Sequence, residues 1–169
     1  MSRYLLTALV TLFLLTSCDM EFGGGGVFRI GQEVPSLKTK TLADAGGDMS
    51  KLTSYRYPDA RMYQLSFDEA LKDGKPIVLE FATPGHCTQC DQQLQLLKVM
   101  LERYGDKINF LHMDQYYNPE AYDAFQVRGE PWTFVINAQG KVDYIAPGRV
   151  LRAEIEPVLK RVAGASKNG

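Results

Sequence analysis

Apolar and polar positions fall into distinct periods along the chain, and from residue 62 onward they mark out a series of elements. MYQL (62–65) predicts a short strand. SFDEALKDGK (66–75) predicts a helix, with Ser66 as N-cap, Glu69 three residues on as its capping-box partner, and Gly74 as the stop. PIVLEF (76–81) is an apolar run broken only by Glu80, the pattern of a strand covered on both faces. Leu94, Leu97, Leu101 and Tyr104 recur at helical spacing and predict a longer helix that ends at Gly105. KINFLHMD (107–114) predicts a strand and NPEAYDAF (118–125) a short helix. WTFVIN (132–137) and VDYIA (142–146) predict a hairpin across the turn AQGK. Leu151, Ile155, Leu159 and Val162 mark a last helix, in which Pro157 is expected to remove a hydrogen bond and introduce a kink.

The order β-α-β-α-β-α-β-β-α predicts an α/β fold, a central mixed sheet flanked by helices on both faces. The βαβ units call for parallel pairing through right-handed crossovers, and the final hairpin adds an antiparallel strand. Residues 27–60 are less regular. VFRIGQEVPSLKTKTL (27–42) has room for one or two short strands, and DAGGD (44–48) is a turn-rich break.

Charge narrows the function. The 169 residues carry a formal net charge of −1 with Lys and Arg scattered, so no basic stripe for nucleic acid exists. The first residues, MSRYLLTALVTLFLLTSC, place one Arg before a largely apolar stretch and then small residues, the layout of an export signal. The stretch is short of the ~20 apolar residues of a membrane span. Its end, Leu15-Thr16-Ser17-Cys18, resembles a bacterial lipobox. That resemblance implies removal of residues 1–17 and lipidation of Cys18, and Asp19 is similar to a signal for retention in the inner membrane. The chain is then expected outside the cytoplasm, lipid-anchored to the cell membrane and facing the periplasm or exterior, where disulfides persist. The expected divisions are a signal at 1–17, a lipidated Cys18 and tether at 18–30, an N-terminal extension at 31–60, and a folded domain at 61–165.

The chain has three cysteines. With Cys18 assigned to lipid, Cys87 and Cys90 of FATPGHCTQCDQQ (81–93) have only each other. A crosslink over so short a gap restrains the unfolded chain little, which disfavours a structural disulfide. A redox dithiol and half of a metal site remain.

The order of elements, the C-x-x-C at the start of the second helix, and DQYYNPEAYDAFQVRGEPWTFVI (114–136) together resemble the thioredoxin superfamily. GQEVPSL (31–37) is similar to the lead-in of its membrane-tethered, TlpA-like members. The resemblance covers about residues 62–164 and implies a thiol–disulfide oxidoreductase whose only redox group is the Cys87–Cys90 pair. Cys87 is then the nucleophile, favoured as a thiolate by the helix N-terminus, and Cys90 resolves the mixed disulfide. Glu80 takes the place of a buried acid that accepts the proton of the resolving cysteine. Pro131 matches a cis-proline that sits against the dithiol, keeps metal off it and exposes the backbone of Glu130 to a substrate segment. The carboxylate of Glu130 departs from the family pattern; beside Cys87 it would oppose a thiolate or select basic partners. His86 stands where the family has Trp, and as a cation it would favour the thiolate and a more oxidising protein. Trp132 is placed to replace that Trp or simply to pack.

The implied partners are cysteine-containing exported proteins and a membrane thiol reductase or oxidase that recycles the pair, with the chain acting as a monomer. Glu80 and the inner-membrane tether favour a reductase. The competing reading is a copper or zinc metallochaperone-like protein with Cys87, Cys90, His86 and His112 as soft ligands, with His112 otherwise a core residue. A redox-inert binding module would not require both cysteines.

Overall fold

The computed structural model describes residues 28–165. Four strands, β1 (Ile77–Phe81), β2 (Asn109–Met113), β3 (Trp132–Ile136) and β4 (Val142–Pro147), form one sheet in the order β2-β1-β3-β4. Four helices cover it: α1 (Phe67–Lys72), α2 (Thr88–Tyr104), α3 (Pro119–Ala124) and α4 (Arg152–Ala165). Only β1 and β2 pair in parallel, joined by α2; β3 runs antiparallel to both β1 and β4. The expected parallel crossover through α3 is therefore wrong, because that short helix leads into a strand of reversed direction. MYQL is also not a strand. Residues Ala60–Tyr63 form a 3₁₀ turn whose N-cap, Asp59, accepts from the backbone N–H of Arg61. Met62 and Tyr63 are both buried by that turn, a fit that alternation in four residues cannot distinguish from a strand.

Residues 28–59 likewise contain no strand, only a single bridge from Glu33 to Lys141 and a 3₁₀ turn at Met49–Lys51. They are nevertheless fastened to the sheet. Phe28 stacks on Phe125 with ring centroids 5.2 Å apart, and Ser54 donates its N–H (2.7 Å) and hydroxyl (2.6 Å) to Asp114 Oδ2.

Pleating sorts β1 by alternation. Ile77, Leu79 and Phe81 face α1 and α3, where Phe67, Phe125 and Phe134 complete an aromatic cluster. Val78 and Ala82 face α2 and α4, against Leu94, Leu97, Ile155 and Leu159. Glu80 lies between Val78 and Ala82 and shares their face. α4 continues through Pro157, whose ring is on the exposed side of the helix.

α1 has the expected capping box, with Glu69 Oε2 accepting from the Ser66 N–H at 2.8 Å and Ser66 Oγ accepting from the Glu69 N–H. Ser66→Ala is expected to lower stability by about 1 kcal/mol, read as a drop in the urea midpoint with an unchanged slope.

Candidate functional site

α2 begins at the dithiol. Cys87 is its N-cap, in extended backbone, and its Sγ accepts from the backbone N–H of Cys90 at 3.1 Å. The two cysteines are joined as a disulfide. One turn of helix separates their environments: Cys87 is partly exposed, whereas Cys90 is fully buried in the layer between α2 and the sheet. A thiolate at Cys87 would sit against the unpaired N–H groups and positive dipole end of a 17-residue helix. His86, just before it, is exposed. Cys18 lies outside the described residues.

Beneath α2 the sheet carries a polar row in an otherwise apolar face. Glu80 is opposite His112 on β2 and Thr133 on β3, and all three are buried. Thr133 Oγ1 donates to Glu80 Oε2 at 2.6 Å, while Glu80 Oε1 has no partner. Burial drives the Glu80 carboxyl up to about 8, the bond from Thr133 opposes this, and the charge of Glu130 adds to it. Glu80 is thus a buried carboxyl held mostly neutral at pH 7, not a solvated edge residue.

His112 is not available as a metal ligand. One ring nitrogen, Nε2, lies 2.8 Å from the Ala82 carbonyl, which can only accept, so Nε2 carries the proton. Nδ1 then accepts from Tyr63 OH at 2.6 Å. Burial lowers the basicity of the ring and keeps it neutral. Among the described residues no three His, Cys, Asp or Glu side chains are grouped to hold a metal ion. The ligand set that includes His112 is therefore not assembled.

The peptide bond between Glu130 and Pro131 is cis, and Pro131 is buried at the start of β3. The Glu130 side chain lies in a different place from the one expected: it turns inward and meets Cys90, not Cys87. Glu130 Oε2 is 3.9 Å from Cys90 Sγ and accepts from the Thr83 N–H at 3.0 Å. Glu130 Oε1 accepts from Thr83 Oγ1 at 2.6 Å and from Tyr122 OH at 2.5 Å. Burial and the bond to Glu130 both push the Tyr122 phenol upward, so it stays a donor. Trp132 packs into the aromatic cluster, stacked on Phe134 with centroids 6.2 Å apart.

Thr83, Tyr122 and Thr133 belong to the site but carry no signal of their own in the sequence. Thr133 could be found only from the antiparallel register of β1 and β3, and Thr83 and Tyr122 only from the inward turn of Glu130.

Comparison with known proteins gives this arrangement a context. The thioredoxin family model matches residues 60–161, which contain both cysteines, Glu80 and the Glu130–Pro131 bond. The chain is 29% identical over 135 residues to the chloroplastic thioredoxin-like protein HCF164 of Arabidopsis thaliana, covering 79% of this chain and 48% of that one. It is 25% identical over 135 residues to a protein disulfide-isomerase of Medicago sativa, covering 79% of this chain and 25% of that one. The chain thus spans about half the length of the first relative and a quarter of the second. A solved structure of a malarial protein overlays 52% of this chain and 97% of its own with a TM-score of 0.48 and 20% identity.

Proposed function

The chain belongs to the thioredoxin family, and from that premise we propose that it is a thiol–disulfide oxidoreductase whose Cys87–Cys90 pair exchanges with disulfides of other proteins. The observation that carries this reading is the asymmetry of the pair. Cys87 is reachable at a helix N-terminus, while Cys90 is sealed one turn behind it against the Glu130 carboxylate. A reachable thiolate can attack a substrate disulfide, and a buried neighbour can resolve the product without escaping to a second partner.

The direction we assign is reduction. A carboxylate 3.9 Å from Cys90 Sγ disfavours a thiolate there and so disfavours the reduced pair, which lowers the potential of the couple. The substrates are cysteine-containing exported proteins. The pair is restored by a membrane thiol reductase, and the chain acts as a monomer. The placement is outside the cytoplasm, in the manner of TlpA-like proteins, on a lipid anchor at Cys18; the support is the apolar run ending in Leu15-Thr16-Ser17-Cys18.

Two measurements test this. Acid-quenched thiol trapping in the source cells should find Cys87 and Cys90 mostly reduced; a mostly oxidised pair contradicts the reductase direction. Metabolic labelling with a fatty acid should mark the wild-type chain and not Cys18→Ala. Equal labelling of both, or of neither, contradicts the anchor.

A further inference from the structure

We propose that Glu130 is the base that takes the proton of Cys90 when Cys90 resolves the mixed disulfide on Cys87. This rests on the exchange reading above and names a catalytic group within it.

Cys90 is fully buried, so its proton needs an acceptor inside the protein. Glu130 Oε2 is in contact with the sulfur, at 3.9 Å. Three donors fix that carboxylate from two directions: the N–H and hydroxyl of Thr83, just past the end of β1, and the hydroxyl of Tyr122 on α3. Such anchoring holds Oε2 toward Sγ and leaves a lone pair for it, since each carboxylate oxygen can accept more than one hydrogen bond. Glu80, which is buried, bonds through one oxygen to Thr133 while its other oxygen has no hydrogen-bond partner, so neither reaches Cys90 Sγ. Its carboxyl, raised to about 8 by burial, is also the weaker candidate at pH 7, because most of it already holds a proton. The titratable groups facing Glu130 are Cys90 on α2, Tyr122 on α3, Glu80 on β1 and His112 on β2, with Asp114 acting on the last-named ring and on Tyr122.

The step balances without an outside oxidant. The Cys90 S–H bond breaks and its proton goes to Glu130 Oε2. Cys90 Sγ bonds to Cys87 Sγ as the bond from Cys87 to the substrate sulfur breaks. The electron pair of that bond leaves on the substrate as a thiolate, which water protonates. The dithiol is oxidised by two electrons and the substrate disulfide is reduced by two. In the reverse reaction the Glu130 carboxylic acid returns the proton to Cys90.

The test uses the reduced full chain carrying Cys18→Ser, mixed with 5,5′-dithiobis(2-nitrobenzoate) in a stopped-flow spectrometer. Attack by Cys87 releases a first thionitrobenzoate and resolution by Cys90 a second. Glu130→Gln should keep the first phase and slow the second on the order of 100-fold at pH 7, the usual scale of general-base loss. Its second phase should also climb about tenfold per pH unit above neutrality, because thiolate must then come from bulk hydroxide. A second phase with wild-type rate and pH profile in Glu130→Gln overturns the proposal, as does slowing confined to Glu80→Gln. Slowing of Glu130→Gln with an unchanged profile also overturns it, since that is a packing effect. Absence of a second phase in the parent chain instead overturns the exchange reading itself.

Discussion

Cys87→Ser is expected to lose disulfide reductase activity by roughly 1,000-fold or more, while Cys90→Ser accumulates a covalent adduct with its substrate. The two effects differ because the two sulfurs do different work. A serine hydroxyl at Cys87 keeps the N-cap bond to Cys90 N–H, so α2 stays in place, yet it has no thiolate with which to open a disulfide. Serine at Cys90 leaves Cys87 free to attack but removes the group that would release the product. Activity is read as reduction of insulin with dithiothreitol as donor, and the adduct as a mass increase under non-reducing conditions. Identical behaviour of the two variants would contradict the division of labour assigned from their burial.

The second large effect concerns Glu80 and pH. Its carboxyl titrates at about 8 in the folded protein against 4.5 for an ordinary glutamate, first because burial penalises the charge. Between those values the native state holds a proton that the unfolded state has released, so stability falls as pH rises. Neutral, buried His112 works oppositely but only at the acid end. Its basicity lies below the ordinary 6.5, so it costs stability as pH drops below that value. From pH 6.5 to 8 Glu80 therefore acts with little opposition, and the oxidised protein should lose up to ~1.4 kcal/mol per pH unit, about 2 kcal/mol across the interval. Glu80→Gln keeps an acceptor for Thr133 Oγ1 and cannot ionise. Its stability by urea titration should be nearly flat over the same interval, and a slope equal to wild type would place Glu80 in water.

How much of this was legible beforehand varied with the kind of signal. β1 could be read because five consecutive buried positions need an apolar run, and α2 because Leu94, Leu97 and Leu101 repeat at the pitch of a helix. α1 could be read from local chemistry alone, since a capping box is made by residues three apart. The 3₁₀ turn at Ala60–Tyr63 could not, because its buried Met62 and Tyr63 are adjacent and fit either reading. Strand direction was hidden as well: nothing local to WTFVIN says that β3 lies beside β1 and runs against it.

The site shows the same limit. The spacing of Cys87 and Cys90 and the charge of Glu80 inside an apolar run were visible in the chain. Thr133 joined them only through the register of two strands 53 residues apart. The inward turn of Glu130 depends on Thr83 and Tyr122, which meet it from separate elements.

The measurement closest to the central claim is the equilibrium of the Cys87–Cys90 pair with glutathione redox buffers of graded ratio, followed by alkylation and mass analysis of the wild-type chain. A pair built for exchange should pass from dithiol to disulfide within those buffers, with a midpoint above roughly −300 mV and on the reducing side of about −200 mV. A pair that stays fully oxidised at every ratio would be a structural crosslink, and would contradict the account.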